Sequence, residues 1–176
     1  MLLNASLDTS FWAYASQVGV VPYLFNFFRV HYCQAVKNEI ITTDPSVTTL
    51  IYPQAMLFMV FEEDGRLYKQ EPTKPLPIFG IGEAHAIALA KKNDWVVLIN
   101  DSRPLLYARS LGITTVSVPG LCVLLYAKGF ITLNAVTGYL KRLSPTTSAI
   151  LLAEATEAIA KIAQAKGDQS ETNNHH

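Results

Sequence analysis

The stretch "GEAHAIALAKKNDWVVLINDSRPLLYARSLGI", residues 82–113, decides the fold of this chain. Its first part has apolar residues at helical spacing, and the run "DWVVLIN" that follows has the length and composition of a strand. A second helix comes next, with Pro104 near its start and Gly112 at its end. Two acids mark these elements, because Glu83 opens the first helix and Asp101 follows the strand. Placing a carboxylate beside a hydrophobic core costs free energy unless another group compensates its charge. The presence of an acid at both positions therefore requires an explanation.

Strands and helices alternate along most of the chain. Short strands are predicted in "LLNAS", "RVHYC", "RLYKQ" and "ITTVSV", and helical segments lie between them. Alternation of this kind is typical of an α/β fold in which helices cover both faces of a parallel sheet. Between residues 42 and 77 the signal is mixed: a helix is interrupted at Pro53, and a proline-rich connector, "EPTKPLPIFG", comes later.

The composition indicates one well-buried domain. The chain has 176 residues, half of them hydrophobic and 16% charged, which supplies a large core and an apolar excess suited to self-association. Fourteen acids balance fourteen bases, so no broad positive field recruits nucleic acid, and a polyanion must meet a local cluster of Lys and Arg. Cys33 and Cys122 lie in apolar stretches and are expected to be buried, reduced thiols.

The N-terminal segment does not read as a signal peptide. "MLLNASLD" has no basic segment before an apolar one, and no run of some 18 apolar residues occurs anywhere. We therefore expect a cytoplasmic protein with no membrane span. Residues 1–147 are predicted to form the main domain, residues 148–166 a C-terminal helix that packs on the domain or on a partner, and residues 167–176 a disordered tail.

Several familiar sites do not fit. "GIGEAH" begins a dinucleotide-binding fingerprint, but His85 stands where the third glycine is required. "DTSF" has Ser10 where aspartyl-phosphate enzymes usually carry a second acid. His31 and His85 have no nucleophile in a suitable context and are expected to be structural.

Four acids stand at the ends of predicted elements: Asp8, Glu39, Glu83 and Asp101. Each has an ordinary explanation, since Glu83 and Asp101 suit helix starts and Glu39 suits a solvated helix face. Together they suggest more, because the ends of parallel strands converge on one edge of the sheet. Crowded carboxylates raise each other's pKa unless a cation neutralises them, and oxygen ligands select hard ions such as Mg²⁺ or Mn²⁺.

The same residues carry a resemblance to a known family. Residues 82–113 resemble the core of PIN domains, in which G-E-A-E-A-I-A-L-A is followed by an aliphatic strand ending in Asp-Asp and a helix closing A-R-x-L-G-I. "LDTSFW" is similar to the family's opening Asp-Thr-Ser, and "VHYCQAVKNEI" to its second acidic segment. The match extends from Leu7 to about Leu133.

The resemblance implies a three-layer α/β/α sandwich and a ribonuclease dependent on Mg²⁺ or Mn²⁺. Its metal-binding and catalytic residues would be Asp8, Glu39, Glu83 and Asp101, with Ser10 as an accessory polar residue. Many relatives are toxins of toxin–antitoxin pairs and many are homodimers, so an antitoxin protein and a second copy of the chain are the implied partners besides RNA.

Two departures from the family leave alternatives open. The Asp-Asp pair appears as Asn100-Asp101, so Asn100 would offer at most a neutral carbonyl oxygen, and the opening strand is more polar than a buried strand should be. The chain could instead be a catalytically degenerate PIN-like module that binds RNA or a protein, or an interaction protein built on its apolar helices. In an active enzyme, Arg103 is the basic residue expected to contact the RNA phosphate. Arg109 suits a structural role as well as it suits a phosphate contact.

Overall fold

The computed structural model describes residues 1–42 and 53–167. Five strands form one sheet: β1 Leu3–Leu7, β2 Phe28–Tyr32, β3 Leu67–Lys69, β4 Val96–Leu98 and β5 Thr115–Val116. The helices are α1 Thr9–Val18, α2 Val21–Leu24, α3 Gln34–Ile41, α4 Pro53–Glu63, α5 Ile81–Asn93, α6 Ser102–Ser110, α7 Val118–Ala127, α8 Leu133–Leu143 and α9 Ala149–Lys166.

The sheet has the strand order β3-β2-β1-β4-β5, and every neighbouring pair is parallel. The predicted α/β class and the three-layer α/β/α architecture around a parallel sheet are confirmed. The chain runs outward from β1 to β2 and β3, then returns to the other side of β1 for β4 and β5. The switch point therefore lies between β1 and β4, which is where open parallel sheets bind ligands.

β1 is the central strand despite its polar residues. Leu3 and Asn4 are exposed at its start, whereas the last three residues of the strand are buried. The amide oxygen of Asn4 accepts a hydrogen bond from Nε2 of His31 on β2 at 3.0 Å, and the His31 ring stacks on Trp95 at a centroid distance of 4.1 Å. The exposed strand start and the partner on the next strand explain Asn4, whereas Ser6 is buried and its hydroxyl has no hydrogen-bond partner among the described residues.

An aromatic cluster fills the core beside α1. Trp12 is fully buried and makes edge contacts with Phe58 and Phe61 of α4, and its indole N–H donates to the carbonyl of Gln54 at 2.8 Å. The aromatic residues of "FWAYA", residues 11–15, thus belong largely to the core. Both cysteines are buried free thiols, as predicted.

The chain divides into two compact units, Met1–Val118 and a second unit that begins at Pro119. The first contains the whole sheet and α1 to α6. In the second, α9 covers most of the predicted helix 148–166, and Lys161 pairs with Glu157 at 2.6 Å. The predicted domain boundary after residue 147 stays a prediction.

Two sequence predictions fall partly outside the described residues. α4 begins at Pro53, but the helix predicted on the other side of this proline lies in residues 43–52. Of the predicted disordered tail, residues 168–176 are likewise not described. Among the described residues, no helix has the length and apolarity needed to cross a membrane.

Asn100 joins the end of β4 to the start of α7. Its side chain is 3% exposed, and its amide oxygen accepts the backbone N–H of Val118 at 3.0 Å. The ends of strands β4 and β5 are thereby held together two residues beyond their last paired residues, Leu98 and Val116.

Replacing Asn100 by alanine should leave the Val118 N–H without its acceptor in a buried position. We expect Asn100→Ala to lower the free energy of unfolding by about 1–3 kcal/mol, measured by urea denaturation. Asn26, which is exposed, provides the control, since Asn26→Ala should change it little. Equal effects of the two substitutions would contradict the structural role of Asn100.

Candidate active site

Asp8 lies at the switch point of the sheet. It directly follows β1, caps the N-terminus of α1 and is 1% exposed. Its backbone N–H donates to the carbonyl of Leu98 at 2.9 Å, which continues the pairing of β1 with β4. The expected position of Asp8 at a strand end is therefore the observed one.

Ser10 fixes the Asp8 carboxylate to the end of β4. Its backbone N–H and its hydroxyl both donate to Asp8 Oδ2, at 2.9 and 2.5 Å. The same hydroxyl oxygen accepts the backbone N–H groups of Asn100 at 3.0 Å and Asp101 at 3.2 Å. The residue predicted to be accessory thus connects two of the four predicted acids.

Glu39 reaches the same region from α3. Its carboxylate accepts the Thr9 hydroxyl at 2.5 Å and the backbone N–H of Gly82 at 2.9 Å. Gly82 makes this approach possible, because a Cβ at that position would lie 2.7 Å from the Cδ of Glu39. The Glu39 side chain is therefore held between the first turn of α1 and the first turn of α5.

Glu83 and Asp101 each sit at a helix start. The Glu83 carboxylate accepts the backbone N–H of Gly80 at 2.9 Å, and its side chain is half-buried. Asp101 is exposed and caps α6 by accepting the backbone N–H of Arg103 at 3.1 Å. Both residues thus fulfil the ordinary capping role that the sequence also allowed, at the same edge of the sheet as Asp8.

The electrostatics identify Asp8 as the centre of the acidic cluster. Burial, and after it the charges of Glu83 and Glu39, raise the pKa of Asp8 to about 7, against hydrogen bonds from Ser10 that lower it. Asp8 Oδ1 is buried and has no hydrogen-bond partner among the described residues. The fold therefore holds in the interior a carboxylate whose Oδ2 is compensated by Ser10, while its Oδ1 has no hydrogen-bond partner among the described residues.

The geometry agrees with the comparison of the chain with protein families. A family model described as "DUF3368: PIN domain" matches residues 7–164. The chain belongs to the PIN-domain family. PIN domains have a nuclease-type fold and are in general dependent on divalent metal ions.

Solved structures and curated protein sequences provide two further comparisons. The chain is similar to a PilT N-terminus domain protein from the hyperthermophilic archaeon Sulfolobus solfataricus P2, with 12% identity, a TM-score of 0.41 and 99% of each chain covered. No curated protein sequence matches the chain.

The acids fit a divalent cation by their chemistry. All offer oxygen, which hard ions prefer, and a cation at Asp8 Oδ1 would compensate the unpartnered buried oxygen. Within residues 1–42 and 53–167, however, no three His, Cys, Asp or Glu side chains are grouped closely enough to hold a metal ion. Mg²⁺ commonly keeps several waters and takes only one or two protein carboxylates, so such a group is not required.

Asn100 is separated from this cluster by its own hydrogen bond. Its amide oxygen, which could have replaced the missing carboxylate as a ligand, accepts the N–H of Val118 instead. Arg109 is also engaged, since its Nε donates to the Thr115 hydroxyl at 2.9 Å. Asp101 and Arg103 are left as the exposed charged side chains at the start of α6.

Sequence reasoning missed three contributors to this edge. Thr9 and Gly82 hold Glu39. The only sequence signals for these two residues are their places in the short motifs "DTS" and "GIGE". Phe79 has a left-handed backbone with φ of 61°, which is strained for an aromatic residue, and is 38% exposed. Its ring makes an edge contact with Tyr107 of α6 at 5.4 Å, which places an exposed aromatic surface beside the acids.

Gly82→Ala should displace the Glu39 carboxylate, because the new Cβ would overlap it. We expect weaker binding of Mn²⁺, seen as a smaller rise in melting temperature on adding the metal, and a loss of stability of about 1–3 kcal/mol. The matched control is Gly138→Ala, also inside a helix, where a Cβ meets nothing within 4 Å. The argument is wrong if Gly82→Ala binds Mn²⁺ as the unmodified chain does.

The buried Asp8 carboxyl should make metal-free protein less stable as pH rises. The folded state keeps the Asp8 proton up to about pH 7, whereas the unfolded chain loses it near 3.8. Unfolding free energy should therefore fall between these pH values, by about 4 kcal/mol at most, and level off above them. Chemical denaturation in the presence of chelator measures this slope.

Asp8→Asn should remove most of the slope, since asparagine caps a helix equally well but does not ionise. Asp94→Asn, at the other end of α5, removes a carboxylate outside the cluster and should keep the slope. A slope that persists unchanged in Asp8→Asn would show that another group titrates.

Proposed function

We propose that this PIN domain is a divalent-metal-dependent endoribonuclease whose centre is Asp8. The observation that carries the proposal is the buried Asp8 Oδ1 without a partner, in a carboxylate surrounded by the charges of Glu39 and Glu83. A buried carboxylate with these neighbours is unfavourable in the free protein and becomes favourable when a cation binds. Such an arrangement at a switch point indicates a metal site rather than a purely structural acid.

Asp8 would be the principal ligand of Mg²⁺ or Mn²⁺, with Glu39, Glu83 and Asp101 contributing directly or through water. The bound ion would supply a water of lowered pKa and positive charge against the scissile phosphate. Ser10 keeps the Asp8 carboxylate in place, and the backbone N–H groups of Gly80 and Gly82 keep the two glutamates near it. The chain thus contributes position and negative charge.

Arg103 and Phe79 are the residues proposed to hold the RNA strand. Arg103 is exposed in the first turn of α6, beside Asp101, where its guanidinium can take a phosphate. Tyr107, one turn further along α6, contacts Phe79, so an aromatic ring for an unpaired base lies close to the phosphate contact. Single-stranded RNA is the substrate class that these two features favour.

The test is cleavage of a labelled single-stranded RNA by purified protein. We expect cleavage with Mg²⁺ or Mn²⁺, none with excess chelator, and a loss on the order of a hundredfold or more in Asp8→Asn and Glu83→Gln. Glu83→Gln is informative because glutamine still accepts the Gly80 N–H, so only the charge is removed.

Contaminating nucleases require matched controls. Asp94→Asn and Glu63→Gln change exposed acids outside the cluster and should retain full activity when purified in parallel. Cleavage that survives equally in all four variants would overturn the assignment of the activity to this cluster.

A second candidate function is a degenerate PIN module that binds RNA or a protein without cleaving. It is favoured by two observations: both glutamates accept backbone N–H groups, and the described residues contain no group of three metal-ligating side chains. Thermal shift separates the candidates, because a catalytic site should be stabilised by Mn²⁺ and Asp8→Asn should abolish that stabilisation, whereas a degenerate site should show neither effect. The toxin role, the antitoxin partner and the homodimer stay predictions.

A further inference from the structure

A cavity of about 280 Å³ lies at the opposite edge of the sheet from the acids. Because the strands are parallel, their first residues meet at one edge, and the residues that line the cavity come from the starts of β1, β2 and β3. They are Leu2, Phe25, Phe28, Arg29, Arg66 and Tyr68. The cavity is thus distinct from the site around Asp8, which stands where β1 ends.

Both arginines of the cavity lie over aromatic rings at cation–π distance. The Arg29 guanidinium is 5.5 Å from the centroid of Tyr68, and that of Arg66 is 5.6 Å from those of Phe25 and Phe61. A cation–π contact uses the positive charge of the guanidinium and leaves its N–H groups available for hydrogen bonds. Both arginines are exposed, so two sets of hydrogen-bond donors border the same space.

The positive charges of the cavity have no carboxylate counterpart within residues 1–42 and 53–167. In the described part of the chain, neither guanidinium forms an ion pair with a carboxylate. Val30 lies beside Leu67 in the parallel ladder, so Arg29 and Arg66, one residue earlier on each side, are neighbours at the strand starts. Like charges placed next to each other repel, and an anion between them would remove the repulsion.

We propose that this cavity, named here the arginine cavity, binds one nucleotide, with the phosphate on Arg29 and Arg66 and the base against the aromatic rings. A guanidinium edge matches phosphate oxygens with paired hydrogen bonds. Tyr and Phe rings, together with stacked guanidiniums, are the surfaces on which unpaired bases stack. A volume of 280 Å³ lies just below the usual range of ligand pockets, which suits a small ligand such as one nucleotide.

The bound nucleotide could be free or part of an RNA strand, since both present the same base and phosphate. In either case the arginine cavity is separate from the proposed nuclease site, and its ligand needs no metal. Binding can therefore be measured with excess chelator, so that a failure of this proposal and a failure of the nuclease proposal are distinguishable.

The experiment is calorimetric titration of the full chain with AMP, adenosine and inorganic phosphate in chelator. We expect AMP to bind more tightly than adenosine or phosphate alone, because only AMP uses both the rings and the arginines. The double variant Arg29→Gln, Arg66→Gln should weaken AMP binding about tenfold or more, and Tyr68→Ala should reduce AMP binding towards that of phosphate.

Arg142→Gln is the matched control for the loss of an arginine that stacks on a tyrosine. Arg142 lies 4.9 Å from the centroid of Tyr139 but does not line the arginine cavity, so AMP binding should be unchanged. Should the double variant not fold, amide chemical shifts of the unmodified protein locate the ligand: changes at Arg29, Arg66 and Tyr68 support the proposal.

A comparison of AMP with a single-stranded pentanucleotide identifies the source of the ligand. Tighter binding of the pentanucleotide indicates an RNA strand, and tighter binding of AMP indicates a free nucleotide. The proposal is overturned if AMP binds the double variant as it binds the unmodified chain, if phosphate alone binds as tightly as AMP, or if AMP shifts only residues around Asp8.

Discussion

The hydroxyl of Ser10 is the contact on which the acidic edge depends. It donates to Asp8 and accepts the backbone N–H groups of Asn100 and Asp101. A serine hydroxyl has one donor and two acceptor positions, so all its capacity is used. The end of β1 and the turn from β4 to α6 are therefore fixed by one atom. The same atom also fixes the Asp8 carboxylate. The position of this carboxylate is therefore coupled to the distance between the ends of β1 and β4.

The acids that suit a metal site lower the stability of the metal-free protein. A carboxylate that is 1% exposed, with one oxygen unpartnered, is unfavourable when ionised, and the neighbouring glutamates add to the cost. The folded state remains stable despite this cost because the rest of the unit is well packed around Trp12 and the central strand. A bound cation would reverse the sign of the interaction, so the folded state would gain stability from the ligand that the site requires.

The sequence predicted the framework of the fold because strand and helix periods are local properties. The run "DWVVLIN" and the helices on either side of it appear as β4, α5 and α6. The positions of the acids at element ends followed from the same patterns. What the patterns could not show is what each carboxylate contacts: Glu39 meets Gly82, 43 residues away, and this depends on tertiary packing. The length of β5, only two residues, was likewise set by its partner strand rather than by its composition.

The balanced composition conceals a separation of charge between the two edges of the sheet. Acids follow the strands, where Asp8 and Glu39 repel any anion unless a cation is present. Arg29 and Arg66 stand at the strand starts without a carboxylate partner in the described part of the chain. A net charge of zero excludes a broad attraction of polyanions but not a local one, and the arginine cavity is a local cluster of this kind. Its three segments are distant along the chain, which is why no stretch of sequence reveals it. Under the proposed function, an RNA strand would meet Arg103 as the favourable charge at the acidic edge, and the carboxylates there would stop opposing the strand once metal had bound.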